Sequence, residues 1–243
     1  MDSADGPSQL EGGWLVRRFY RPSIVVRVEE PAEGYRVLTL GGERLKGVAW
    51  APGQKVQIAT GGGSNRAYTP MVWDSARGET RVLAFVHSEG PGSRWASRTK
   101  VGDACLFTGP RRSLDLSGLG ERAFLFGDET SMGLAVALRS VMSPPDTVSC
   151  VFEVSSLPAA QRAWQVLGAG DATFVQRRDE DGHLDEVESH TRRIFDSGSP
   201  TGFVLTGKVT SIQRVRGLLK TLGVETSRLR VKAYWAPGKT GLD

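Results

Sequence analysis

The sequence predicts two successive folds in one chain: an antiparallel β barrel or sandwich, followed by a parallel sheet covered by helices. Two observations carry this. From Ile24 to about Thr108, short alternating runs are separated by Gly, Pro and polar turns, the pattern of antiparallel strands. After a hinge-like stretch rich in Gly, Ser and Leu from Arg112 to Gly120, apolar strands alternate with segments of helical period, which is a βαβ succession.

The first half contains IVVRVEE, YRVLTL, KVQIA, RAYTPMVW, TRVLAFVH and ACLFT, six expected strands. One helix is expected among them, from Ser93 to Arg98. In the second half AFLF precedes TSMGLAVALRSVM, TVSCVFEV precedes PAAQRAWQVL, ATFVQ precedes LDEVESHTRRIF, and FVLTG precedes SIQRVRGLLKTL, with LRVKAYW closing the series. In the last helix Ile212, Val215, Leu218, Leu219 and Leu222 share a face, Ser211 is the expected N-cap and Gly223 the stop. Arg214, Arg216 and Lys220 then point outward.

At 243 residues, the chain can bury roughly 70–75% of its unfolded surface. Its 39% hydrophobic and 24% charged residues match globular averages. The net charge of +4 favours small anions such as phosphates or acidic chelates. Lys and Arg are dispersed and no nucleic-acid motif appears, which argues against nucleic-acid binding. Cys105 and Cys150 sit in apolar runs and read as buried thiols, too few to ligate an iron–sulfur cluster. His183 and His190 have no metal-ligand register and read as surface residues. Neither a leader nor an apolar run of about 18 residues is visible, so the expected location is cytoplasmic.

Three constellations carry candidate chemistry. In Asn65-Arg66-Ala67-Tyr68-Thr69-Pro70-Met71, strand period puts Arg66 and Tyr68 on one face. A guanidinium there can clamp a phosphate, a phenol ring can lie against a flat heterocycle, and the Thr69 hydroxyl can hydrogen-bond a ring nitrogen. Taken alone, the segment reads first as an ordinary barrel strand. In the segment from His87 to Ala96, Gly90 and Gly92 allow close backbone approach, and helix amides beginning near Ser93 form an anion site; a plain N-cap at Ser93 is the alternative. Gly127-Asp128-Glu129-Thr130-Ser131-Met132-Gly133 lies between strand and helix, where open sheets bind nucleotides, although the G-x-G-x-x-G fingerprint is missing. Asp128 and Thr130 can equally serve as helix caps. Thr206-Gly207-Lys208 adds a possible phosphate contact or a simple turn.

Together these motifs, with Gly102-Asp103, Gly109-Pro110 and the ending Tyr234-Trp235-Ala236-Pro237-Gly238-Lys239, resemble the siderophore-interacting protein family, the FAD-containing ferric-siderophore reductases. The resemblance runs from about residue 18 onward. It implies a flexible N-terminus over 1–17, an FAD-binding β-barrel domain over 18–115 and an NAD(P)H-binding-like α/β domain over 116–243. It further implies that Arg66 contacts the FAD phosphates, Tyr68 packs along the isoalloxazine or ribityl, and Thr69 bonds the reactive side of the ring, so that Thr69 and Tyr68 are the catalytic candidates. The cofactor-binding set becomes Arg66, Ala67, Tyr68, Thr69, His87, Gly90, Gly92, Ser93, Trp95, Ala96, Asp128, Glu129, Thr130 and Trp235, with Asp128, Glu129 and Thr130 lining the flavin and the nicotinamide approach. Two departures stand out: Ser88 occupies a usual Gly position, and Met71 a place often basic.

The implied activity passes electrons from NADPH or NADH through FAD to a ferric siderophore, releasing Fe(II), in a chain working as a monomer. Lys232 and Lys239 are placed to meet an anionic ferric chelate. A ferredoxin-dependent or general flavin reductase, or a non-catalytic flavin or ferric-chelate binding module, are the alternatives.

Overall fold

The computed structural model describes residues 20–238 apart from 88, 89 and 199. Lys239, one of the two cations expected to meet substrate, lies outside the described residues.

Seven antiparallel strands form the first sheet: β1 (Arg21–Ala32), β2 (Tyr35–Gly41), β3 (Lys55–Gly61), β4 (Ser64–Tyr68), β5 (Pro70–Asp74), β6 (Glu79–Phe85) and β7 (Ala104–Arg111). Their spatial order is β4-β3-β7-β1-β2-β6-β5. The two edge strands, β4 and β5, follow one another in the chain with Thr69 alone between them. A single residue cannot bridge a flat seven-stranded sheet, whose edges would stand about 28 Å apart at normal strand spacing, so the sheet curls until its edges meet. This corrects the expected count of six. RAYTPMVW is two strands because Pro70 lacks an N–H and holds Thr69 extended, and the chain steps there from one edge to the other. The GGGS stretch is the β3–β4 hairpin turn, with Gly61, Gly62 and Gly63 at φ of 88°, 57° and 73°, values that glycine adopts without a steric cost.

Helix α1 (Pro91–Arg98) interrupts the barrel between β6 and β7. It begins at Pro91, two residues before the expected Ser93, because proline suits the first helical position. The barrel core gathers Val25, Leu38, Leu40, Val56, Ile58 and Phe107. Cys105 is buried there, and Cys150 in the second half; both are free thiols.

The second sheet is parallel, ordered β10-β9-β8-β11-β12. Its elements are β8 (Ala123–Asp128), α2 (Met132–Arg139), β9 (Val148–Val154), α3 (Leu157–Leu167), β10 (Thr173–Gln176), α4 (Leu184–Asp196), β11 (Gly202–Lys208), α5 (Val209–Thr221) and β12 (Leu229–Trp235). The order of strands and helices is the one the periodicity placed, with some ends shifted by a few residues. In α5, Ile212, Val215, Leu218 and Leu219 are buried, and Gly223 adopts φ of 80° just past the end. The N-cap assignment is corrected: α5 starts at Val209, so Ser211 lies inside the first turn, buried, with its hydroxyl unpartnered. Arg214 points outward as expected and pairs with Asp185 and Glu188 of α4.

The two sheets share one core. Tyr35, Val37, Met71 and Leu83 of the barrel pack with Leu125, Met132, Leu134 and Val204 of the parallel half. A Cβ on Gly133 would sit 3.4 Å from the Thr69 carbonyl and 3.5 Å from Met71 Cγ, so α2 lies directly against the barrel seam. Arg230 ties the connecting stretch to β12 through the carbonyls of Asp115 and Ser117, at 3.0 and 3.1 Å.

Candidate active site

On β4 the exposure alternates as strand period requires: Asn65 and Ala67 are exposed, Arg66 and Tyr68 half-buried. Arg66 and Tyr68 both face the first turn of α1. A Cβ on Gly92 would meet Arg66 Cγ at 3.1 Å and the Tyr68 hydroxyl at 3.6 Å. Glycine at 92 therefore lets the helix start approach the arginine closely. Gly90, the N-cap, has no side chain with which to cap the helix, and the first turn contains no acid, so its amides and positive dipole end suit a phosphate. The Arg66 guanidinium donates to the Asn65 carbonyl at 2.7 Å, and the side chain's Cγ and Cδ stand beside this helix start. The residues present fit the diphosphate of a dinucleotide cofactor.

The other expected residues divide. Trp95 packs against Tyr68, ring centres 5.7 Å apart. Ser93 is buried and its Oγ accepts from the His87 amide at 3.4 Å, which joins helix to strand end. Ala96 is buried, and its carbonyl accepts from Arg36. Ala67 lies on the opposite face from Arg66. His87 is exposed and stacks on Phe85 with centres 5.2 Å apart; Phe85 in turn packs on Tyr35 at 5.1 Å.

Thr69 stands at the seam between β4 and β5. Its neighbour is Tyr234, whose phenol approaches both Thr69 and Thr206; burial pushes that phenol up to about 12. The β11–β12 register passes from Gly207 opposite Ala233 to Lys208 opposite Trp235, skipping Tyr234. This irregularity frees Tyr234 from the ladder, and it reaches the barrel. Lys232 lies on the same strand opposite Thr206 and is half-buried.

The carboxyl end of the parallel sheet is densely ionic. Asp128, at the end of β8, is fully buried; its Oδ1 accepts from the Thr130 amide at 2.9 Å and from the Thr130 hydroxyl, and its Oδ2 from Trp235 Nε1 at 2.6 Å. It thus caps the short turn that follows, as one of the two readings had it. Burial and the neighbouring Glu129 charge push Asp128 up to about 6. Glu129 is buried as well and accepts from the Ser155 amide at 2.6 Å and hydroxyl at 2.8 Å. Arg177 pairs with Glu129 through two nitrogens and also reaches the Glu153 carbonyl at 3.2 Å. Glu153 Oε2 lies 2.8 Å from His183 Nε2. Lys208 bonds Asp181 at 2.5 Å and Thr206 bonds Ser131 at 2.8 Å, so the Thr-Gly-Lys segment is engaged within the fold.

His183 corrects the surface assignment: it is fully buried, while His190 is half-buried. The Glu153 carboxylate makes this possible, and the Arg178 amide approaches Nδ1 at 3.3 Å, leaving Nε2 to carry the proton toward Glu153. Four residues of this end, Tyr35, Glu153, Arg177 and His183, were not expected as site residues. The available signal was Glu153, a charge inside the otherwise apolar run VSCVFEV, since a buried acid needs a partner. Tyr35 is buried with its hydroxyl unpartnered, and burial followed by the nearby Glu129 charge raises its phenol pKa well above the ordinary value. A hollow of about 910 Å3 opens at the opposite, amino end of this sheet, but Arg139 there spends its guanidinium on the carbonyls of Val148, Ala169 and Asp171.

Residues 62–114 match the siderophore-interacting FAD-binding domain and residues 120–238 the siderophore-interacting protein model. The chain belongs to the siderophore-interacting protein family. FAD is the cofactor of this siderophore-interacting protein's barrel half. Among relatives, the chain is 27% identical to the NADPH-dependent ferric-chelate reductase of Escherichia coli, over 39% of this chain and 46% of that one, so the match spans about half of the curated relative. Among solved structures, it is similar to the siderophore-interacting protein SipS from Aeromonas hydrophila, with a TM-score of 0.72, 18% identity and coverage of 91% and 93% of the two chains. Phthalate dioxygenase reductase, described as a modular structure for electron transfer from pyridine nucleotides to a [2Fe-2S] centre, superposes with a TM-score of 0.74 at 14% identity, covering 92% of this chain and 70% of that one. These likenesses place the fold among the ferredoxin-reductase-like FAD and nucleotide-binding proteins.

Proposed function

We propose that this siderophore-interacting protein is an FAD-dependent ferric-siderophore reductase that draws electrons from NADPH. The observation that carries the reading is the Thr69–Tyr234 contact: the seam of the FAD-binding barrel and the carboxyl end of the parallel sheet meet at one place, which would set a cofactor held by the first beside a nucleotide held at the second. The name of the Escherichia coli relative supports both the donor and the ferric chelate.

Bound FAD would supply the redox chemistry, taking a hydride from the nucleotide and giving up electrons singly. The chain's own residues do the rest. Arg66 and the amides of the α1 start would hold and neutralise the diphosphate. Tyr68 and Trp95 wall the site beside them. Thr69, beside Tyr234, presents its hydroxyl at the seam. No side chain has to donate or remove a proton for outer-sphere reduction of iron. The hard oxygen donors of a siderophore hold Fe(II) less well than Fe(III), so reduction frees the metal. Lys232 adds positive charge on β12, where an anionic chelate would approach, and this attraction should weaken with salt.

Adding FAD to the purified chain should give a yellow complex, and anaerobic NADPH should bleach it, with colour returning on addition of a ferric siderophore. A chain that stays colourless with FAD, or a bound flavin that NADPH leaves oxidised, overturns the reading.

A further inference from the structure

The strand order β10-β9-β8-β11-β12 sets Arg177, which follows β10, and Trp235, which ends β12, at opposite edges of the parallel sheet. Their side chains nevertheless meet: the Arg177 guanidinium carbon lies 5.9 Å from the centre of the Trp235 ring. The indole N–H is bonded to Asp128 at the end of the central strand. Two edge elements are thus drawn inward across the carboxyl end of the sheet, the crevice where open α/β sheets take their ligands.

We propose that Asp128 and Arg177 are positioning residues that hold the Trp235 indole as a closed bar across this crevice, and that protonation of Asp128 releases the bar and opens the crevice to a flat heteroaromatic ring. The identity of that ring as nicotinamide rests on the reductase reading; the bar itself does not.

Several features support a bar that moves. The ionised Asp128 makes a charge-assisted bond to the indole, stronger than a neutral carboxyl could accept. A Cβ on Gly207 would sit 2.6 Å from Asp128 Oδ2, so β11 crowds the carboxylate and the indole is the partner with room to move; Trp235 is half-buried. The charges facing Asp128 are mixed. Glu129 follows it, Glu153 opposes it across the β8–β9 ladder with His183 behind, Tyr234 approaches from β12, Tyr35 from β2, and Arg177 from beyond β10. Burial and Glu129 oppose the charge, whereas Thr130, Arg177 and Trp235 support it, and the balance falls at about 6. A modest fall in pH therefore reaches the bar.

The test uses the whole chain labelled with 5-fluorotryptophan, which gives one 19F resonance for each of its six tryptophans, with Trp235 assigned through Trp235→Phe. The Trp235 resonance should shift between pH 8 and pH 5 with a midpoint near 6, and should stay fixed in Asp128→Asn. Thr130→Val, at an exposed position, removes one bond that favours the charge and should move the midpoint upward. In steady-state assays the KM for NADPH should be at least threefold lower at pH 6 than at pH 8 in the wild type, with kcat little changed, and Trp235→Phe should lose this dependence. A flat Trp235 resonance, a midpoint unmoved in Thr130→Val, a titration that survives in Asp128→Asn, or equal KM values at the two pH values overturns the proposal. Absence of NADPH oxidation with a normally titrating resonance strikes the reductase reading alone.

Discussion

The start of α1 and the carboxyl end of the parallel sheet are built in opposite ways. At α1 the site is made of what is absent: no side chain at Gly90 or Gly92 and no acid in the first turn, with one arginine alongside. At the sheet end the site is filled by its own side chains: buried Glu129 and Glu153 pair with Arg177, Glu153 also with His183, and buried Asp128 bonds Thr130 and Trp235. A cradle shaped by glycine is ready for a ligand that stays. An ion-paired cluster suits a ligand that comes and goes, because the protein must itself balance those charges whenever the crevice is empty.

The strongest way to break this contrast is Arg177→Ala. It leaves buried carboxylates without their cation and should cost about 3–5 kcal/mol of folding stability, read from the denaturant midpoint, whereas Arg66→Ala should leave that midpoint nearly unchanged. If both variants unfold alike, the division into open cradle and closed cluster fails.

The pH dependence of stability sharpens the same point. The folded chain holds the Asp128 proton more tightly than the unfolded chain does. This residue's contribution is therefore complete below the ordinary carboxylate pKa of about 4 and is lost as pH rises through about 6, an effect on the order of 3 kcal/mol. Asp128→Asn should flatten the stability curve across that window when followed by thermal melts.

On the cradle side, Arg66→Ala should weaken FAD by about 1.5–3 kcal/mol, measured by titration of the flavin fluorescence. Gly92→Ala, whose new methyl would press on the flexible Arg66 side chain, should lose affinity in the same direction but by less. The smallest effect expected is from Thr69→Val, which replaces the seam hydroxyl beside Tyr234 by a methyl and should cost about 1 kcal/mol or less; FAD should be retained while stopped-flow reduction of the flavin slows. An unaltered rate removes Thr69 from any part in the reaction.

The order of elements was readable because period two and period 3.6 leave different marks along a chain, and nearly all the strands and helices of the parallel half follow them. The cradle was readable too: Arg66, Tyr68 and Gly92 lie in short motifs whose members are close in sequence. The split at Thr69 was missed because an apolar run records alternation but not which sheet edge each residue joins. Arg177 was missed because its partners, Glu129 and Glu153, lie 48 and 24 residues away, and His183 looked like a surface residue because its acid is on another strand.

By itself, then, the sequence determined local matters: which segments are strands or helices, where glycine lets backbone approach, and which hydroxyl, ring and cation sit side by side. Only the tertiary structure decided that Thr69 would fall on the barrel seam under Tyr234, and that residues from opposite sheet edges would close over Asp128. The physical reason is range. Backbone sterics and side-chain period act over a few residues, but burying a charge requires a partner, and the fold alone decides which distant residue supplies it.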